Sequence, residues 1–119
     1  MEWKLDKNRP LCPQICEQLC VKIALGEYSP NQRLESVRDT ALEAGVNPNT
    51  VQRSFESLEQ QGILYSVRGS GWFVADNLSL SKEILHQLLS KKTAEYFSAM
   101  KALGLDSNTI KKYVEEWDK

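Results

Sequence analysis

Ser36-Val37-Arg38-Asp39-Thr40-Ala41-Leu42-Glu43-Ala44-Gly45-Val46-Asn47-Pro48-Asn49-Thr50-Val51-Gln52-Arg53 reads as two helices with almost nothing between them. Ser36 and Asp39 make an S-x-x-D capping box, which satisfies backbone N–H groups left orphaned in a first helical turn. Val37, Ala41, Leu42 and Ala44 supply the inner face of that helix. Gly45 ends it, because glycine takes the left-handed conformation that closes a helix. A second helix starts at once, with Asn47 as N-cap and Pro48 at the first helical position. Val51, Phe55 and Leu58 then recur at i, i+4 and i+7 and face a core. Gly62 stops this helix. Two capped helices joined by the short turn Gly45-Val46 make a helix-turn-helix.

The flanks complete a domain. On the N-terminal side, residues 1–9 form a polar arm with one aromatic, Trp3. Pro10 and Pro13 sit at a helix start, where proline is tolerated. Leu11, Ile15, Leu19 and Ile23 mark a core helix over about 11–25, stopped near Gly26. Residues 28–32 read as a loop. On the C-terminal side, 63–67 and 72–75 are strand-like, and Arg68-Gly69-Ser70-Gly71 is a tight turn between them. A β-hairpin placed directly after a recognition helix is a wing. The expected fold is mainly α with a small β-hairpin. It comprises a winged helix-turn-helix over 1–76 and a helical dimerisation segment over 77–119.

In the tail, Ile84, Leu85, Leu88, Leu89, Tyr96, Phe97, Met100 and Leu103 fit one long amphipathic helix, broken at Gly104. Ile110, Tyr113, Val114 and Trp117 belong to a last helix opened by Asp106-Ser107. Two helices cannot bury both apolar stripes alone. Part of the surface is expected to fold back on the winged domain, and the rest to meet a second copy of the chain.

Arg33-Leu34-Glu35-Ser36-Val37-Arg38, then 46–53, then Leu58-Glu59-Gln60-Gln61-Gly62, then Arg68-Gly69-Ser70-Gly71-Trp72-Phe73-Val74, resemble the GntR family of bacterial regulators. The motifs are ordered and correctly spaced across about 10–75. The short tail and Asn47-Pro48-Asn49-Thr50-Val51 are similar to the YtrA subfamily. That resemblance implies two C-terminal helices for dimerisation in place of a large effector domain, and often the control of transporter operons. The chain departs from the family pattern at three places. Glu35 replaces a usual Pro, close to the presumed DNA face, where a carboxylate repels phosphate. Asn31 replaces a usual Gly, but Asn tolerates the left-handed region, so the turn survives. Trp72 replaces a usual Thr and is expected to pack on the sheet or on Trp3.

The second helix of a helix-turn-helix enters the major groove, and its N-terminal residues reach base edges. Asn49, Gln52 and Arg53 point away from the Val51-Phe55-Leu58 stripe. Asn and Gln suit adenine and Arg suits guanine; the bland alternative is a solvated face. Arg38 matches the family arginine that contacts DNA. A cation at a helix N-terminus opposes the macrodipole, which favours a functional placement over a surface ion pair. Ser36 serves as a cap, with phosphate contact as a second role. Thr50 is divided between phosphate contact and ordinary helix surface, and Arg33 between DNA and a salt bridge. Arg68 and Gly69 form the wing tip, which either enters a minor groove or is a solvated turn. With Asn47, these residues make up the expected DNA-contacting set.

Composition bounds the rest. With 41% hydrophobic and 26% charged residues, the chain has a globular profile. No apolar run approaches the roughly 20 residues that span a bilayer. The N-terminus lacks a signal-peptide h-region, so a cytoplasmic protein without membrane contact is expected. Fifteen Lys and Arg stand against 16 Asp and Glu, a net charge of −1. DNA binding must therefore rest on a few placed arginines and on helix N-termini.

Cys12, Cys16 and Cys20 repeat every four residues along one helical stripe. They read as small apolar packing groups, with a soft-metal or redox site as the alternative. His86 is the single histidine. No metal site, cofactor or catalytic constellation is expected, so the chain is not read as an enzyme.

The functional expectation is a homodimeric repressor that holds an inverted-repeat operator in double-stranded DNA, with half-sites about one helical turn or a multiple apart. The alternative is a winged-helix protein-interaction module, motivated by the acidic balance and Glu35. A small-molecule effector, if one exists, is expected at the dimer interface or between tail and winged domain. The tail is too short to enclose a pocket of a few hundred Å³ by itself.

Overall fold

A computed structural model describes residues 2–117. In chain order it contains α1 (Leu11–Ala24), α2 (Val37–Ala44), α3 (Pro48–Gln60), β1 (Leu64–Val67), β2 (Gly71–Val74), α4 (Leu78–Ala102) and α5 (Ser107–Trp117). Two compact units emerge, one ending at Leu85 and the other beginning at His86.

The first unit is a winged helix. Ile15, Leu19 and Ile23 of α1 bury against Val51, Phe55 and Leu58 of α3, with Ala41 of α2, Tyr28, Leu34, Ile63, Leu64 and Val74 closing the core. The three cysteines lie on the buried side of α1. Cys16 Sγ lies 3.5 Å from the Ser54 carbonyl of α3, and Ser54 Oγ lies 3.2 Å from Cys12 Sγ. Burial pushes the Cys16 thiol up to about 11, as desolvation disfavours a thiolate. Cys20 is raised for the same reason. These thiols pack the α1–α3 seam.

Helix α2 buries Thr40 and Ala41. Leu42, expected on the inner face, is 74% exposed. The buried stripe follows 37, 40, 41 and 44, and Leu42 stands about 100° round the helix from Ala41.

The hairpin is antiparallel, with Leu64 opposite Val74 and Val67 opposite Gly71. Each strand is one residue out from its sequence-based placement. A third edge joins them. Asn31 N–H donates to the Val74 carbonyl, Val74 N–H to the Gln32 carbonyl and Leu34 N–H to the Trp72 carbonyl, at 2.7, 2.9 and 2.9 Å. The stretch read as a loop thus runs into an added sheet edge at 31–34. Asn31 takes φ 64° there, the left-handed conformation expected of it, and its Oδ1 accepts from Tyr65 Oη at 2.9 Å. Trp72 meets Phe55 edge to face, with centroids 5.7 Å apart, and so packs into the core beside the sheet.

The N-terminal arm is bound along α1. Gln14 Oε1 accepts from Asp6 N–H at 2.8 Å, and Gln14 Nε2 donates to the Asp6 and Pro10 carbonyls, both at 2.9 Å. Gln18 repeats the two-way grip on Lys4, at 3.1 and 2.7 Å. Trp3 and Leu5 then lie against the core.

Helix α4 starts at Leu78, with Asn77 Oδ1 accepting from Leu80 N–H at 3.3 Å. Its first turns belong to the winged unit: Ser81 is buried, and Leu80 and Ile84 pack on the core. The division after Leu85 therefore falls inside α4, nine residues past the expected boundary at 76. Ile84, expected in the dimer surface, is half-buried against the core of its own chain.

In the second unit, Gly104 (φ 92°) ends the α4 turn. Asp106 Oδ1 accepts from Thr109 N–H at 2.8 Å and caps α5. Ile110 is fully buried within the single chain. Leu89, Tyr96, Leu103, Tyr113, Val114 and Trp117 are exposed, Trp117 to 88%. Tyr96, Met100, Tyr113, Val114 and Trp117 surround an open hollow of about 550 Å³. The tail lines this hollow from its own residues but leaves it open to solvent.

Candidate nucleic-acid interface

Helix α3 buries Thr50, Val51, Ser54, Phe55 and Leu58. What it leaves outside follows from helical geometry. Asn49, Gln52, Arg53 and Glu56 are spaced by three and four residues and share one face. Asn49 and Arg53 are exposed and Gln52 is half-buried. Arg53 has no ion pair among the described residues. Gln52 Nε2 donates to Glu56 Oε1 at 2.8 Å, so Gln52 sits ready-ordered beside a carboxylate. Thr50 is 9% exposed and lies on the buried side, where its carbonyl accepts from Ser54 Oγ at 2.7 Å. It is not part of the open face.

The two helix starts are built by their caps. Ser36 Oγ accepts from Asp39 N–H at 3.0 Å. Asn47 Oδ1 accepts from Asn49 N–H at 2.8 Å, so both caps use their oxygens locally. Arg38, in the first turn of α2, is exposed without an ion pair among the described residues. Between the helices, Gly45 adopts φ 68°, ψ 38° and its N–H donates to the Ala41 carbonyl.

The wing tip is Arg68-Gly69-Ser70, closed by Ser70 N–H donating to the Val67 carbonyl at 2.9 Å. Gly69 has φ 81°, and a Cβ there would meet nothing within 4 Å. Glycine serves the turn by conformation, not by close approach. Arg68 is exposed. Arg33 pairs its backbone with Phe73. Its guanidinium passes Gly71 closely enough that a Cβ there would lie 3.6 Å from Arg33 Nε. Arg33 thus lies along the base of the wing, with no salt bridge among the described residues.

Three features escaped the sequence reading. Lys7 Nζ donates to the Gly45 carbonyl at 2.8 Å. This places a cation on the C-terminus of α2, as the macrodipole favours, and ties the arm to the turn before α3. Tyr28 Oη donates to Glu35 Oε2 at 3.1 Å. Glu59 Oε2 accepts from Ser66 N–H and Oγ at 3.1 and 2.8 Å, which fixes the wing to α3. Lys7 and Gly45 are 38 residues apart, and no local pattern announces such a pair. The Glu56 contact to Gln52 was readable as an i, i+4 pair.

A capped helix-turn-helix followed by a hairpin wing, with a polar outer face on its second helix, is the architecture of a winged-helix transcriptional regulator. Residues 11–74 match the family model of bacterial regulatory proteins, gntR family. That match covers more than half of the chain, and the chain belongs to the GntR family. It is 32% identical over 105 residues to the uncharacterised HTH-type transcriptional regulator YhcF of Bacillus subtilis, covering 88% of this chain and 87% of that one. It is 35% identical over 94 residues to the HTH-type transcriptional repressor YtrA of Bacillus subtilis, covering 69% and 70%. A GntR family transcriptional regulator from Listeria monocytogenes has a similar structure, with TM-score 0.80, 33% identity and coverage of 94% and 98%. The AraR DNA-binding domain, solved in complex with operator ORX1, gives TM-score 0.57 at 28% identity, covering 63% of this chain and 99% of that one. The chain is a transcriptional regulator and not an enzyme.

Proposed function

We propose that the chain is a cytoplasmic repressor that binds an inverted-repeat operator in double-stranded DNA as a homodimer. The observation that carries this reading is the outer face of α3. Asn49 and Arg53 stand open, with Gln52 half-buried beside them, on a helix whose opposite side is committed to the core. Each winged unit would lay that face in a major groove. Arg38 and the start of α2 would meet phosphate, and Arg68 at the wing tip would reach the adjoining minor groove. Arg33, Ser36, Asn47 and Gly69 would support those contacts. Repression is supported by the likeness to a relative named as a repressor, and operator binding by the likeness to an operator-bound domain.

Dimerisation would use the second unit. Leu89, Tyr96, Leu103, Tyr113, Val114 and Trp117 concentrate exposed large apolar side chains in one short segment, and clustered exposed apolar surface marks interaction sites. Leu85, Leu88, Phe97 and Met100 are half-buried and would flank the interface.

The test is selection of bound sequences from random duplex DNA at a stated salt concentration. Enrichment of an inverted repeat supports the reading and gives the half-site spacing. No enrichment by folded, dimeric protein at low salt would overturn it in favour of a protein-interaction module.

A further inference from the structure

Glu35 immediately precedes the Ser36 cap, so its carboxylate stands at the start of α2. That is the end of the helix assigned above to phosphate. An exposed glutamate normally samples many rotamers, but this one is held by Tyr28 Oη, which donates to Glu35 Oε2 at 3.1 Å. Tyr28 is 8% exposed and belongs to the core, so its hydroxyl is a fixed post. Burial, with Glu35, Glu43 and Glu27 nearby, pushes the Tyr28 phenol well above its ordinary value, which keeps it protonated and able to donate. Held to a core residue, the carboxylate is restrained to a position beside Tyr28.

We propose that Glu35, positioned by Tyr28, is a brake on DNA affinity: a fixed negative charge at the phosphate-facing end of α2 that weakens binding to every duplex alike. This rests on the DNA-binding reading above. The sequence-independent part of protein–DNA affinity comes from phosphate neutralisation. One carboxylate at that end subtracts from it, while base contacts from α3 are untouched. Tyr28 sets the strength of the brake. With its hydroxyl removed, the carboxylate is free to swing toward phosphate, and the brake tightens.

The test measures the affinity of the wild-type protein and of E35Q, Y28F and Y28F/E35Q for the selected operator and for an unrelated duplex, each across a salt series. E35Q is expected to bind both duplexes about fivefold more tightly at low salt, the effect of one charge at close range in water. The gain fades as salt screens it. Y28F is expected to bind both about twofold more weakly, and to have no effect once Glu35 is Gln. If duplexes bind and E35Q binds no more tightly, the brake is overturned. If Y28F acts equally in both backgrounds, the positioning role of Tyr28 is overturned. If no variant binds any duplex, the DNA reading itself falls, and the brake with it.

Discussion

Gln14→Ala tests whether the arm is part of the domain or only lies on it. Gln14 is buried and grips the arm and its junction with α1 through one accepted hydrogen bond, at 2.8 Å, and three donated ones, to the Asp6, Arg9 and Pro10 carbonyls at 2.9, 3.3 and 2.9 Å. Gln18 makes a similar grip on Lys4, but in an exposed setting. A net hydrogen bond is worth about 1 kcal/mol, and a buried partner left unsatisfied costs more than an exposed one. Gln14→Ala should therefore cost about 2–3 kcal/mol. Gln18→Ala, where water replaces the lost partner, should cost about 1 kcal/mol or less. The larger loss includes some loosening of Trp3 and Leu5 from the core. Urea denaturation followed by circular dichroism measures both, at one fixed protein concentration because oligomerisation shifts apparent stability. Midpoints should fall in that order with similar slopes. Equal losses, or a cost below about 0.5 kcal/mol for Gln14→Ala, would refute the claim that buried amide bonds hold the arm.

Four further outcomes are expected. Arg53→Ala should weaken operator binding by about 1–3 kcal/mol through a lost base contact, and Arg38→Ala should weaken binding to operator and unrelated duplex alike and lower the salt slope by about 1 through a lost phosphate contact; unchanged affinity in gel retardation removes that residue from the interface. Trp117→Ala should shift sedimentation equilibrium toward monomer without lowering helical content, and an unshifted profile would place the dimer contact elsewhere. Gly69→Ala should destabilise the fold by about 1 kcal/mol, because φ 81° is strained for alanine. Since space is open there, a loss of several kcal/mol in thermal denaturation would contradict the wing geometry. Cys16, raised to about 11, holds very little thiolate at pH 8. Mass spectrometry should find it alkylated far more slowly than an unfolded cysteine, and rapid labelling of folded protein would oppose the packing described.

The winged domain was legible because its signals are local. Caps at Ser36 and Asn47, Pro48 at a helix start and glycines at helix ends each act within four residues, and each is where the sequence placed it. The 31–34 sheet edge was missed because its partner strand lies some 40 residues away and Pro30-Asn31 reads as a turn. Leu42 lies outside because a short helix can carry an apolar residue off its buried stripe, here about 100° round from Ala41. The division of the chain falls after Leu85, later than 76, for a related reason. Asn77 does start a helix, but a helix start is not a domain edge, and Leu80, Ser81 and Ile84 still belong to the first core. Within the contact set, exposure of Arg38, Arg53 and Arg68 follows from their place in the pattern. Burial of Thr50 does not, since it lies beside Val51 on the stripe and only packing reveals which neighbour turns inward.

The acidic charge balance seemed to weigh against nucleic acid, and the structure gives a physical reason why the sum misleads. Several acidic groups are engaged inside the molecule. Asp6 meets Arg9, Glu27 meets Lys22, Glu56 meets Gln52 and Glu59 meets Ser66. Asp39 lies in the first turn of α2 and Asp106 caps α5, where helix dipoles favour a negative charge. The arginines at the start of α2, on α3 and at the wing tip have no such ion-pair partners among the described residues. Under the proposed docking, a phosphate backbone would meet these open cations together with the Glu35 and Glu56 carboxylates, and not the net charge. A protein arranged so would bind DNA in general weakly, and would depend on α3 to hold any one sequence.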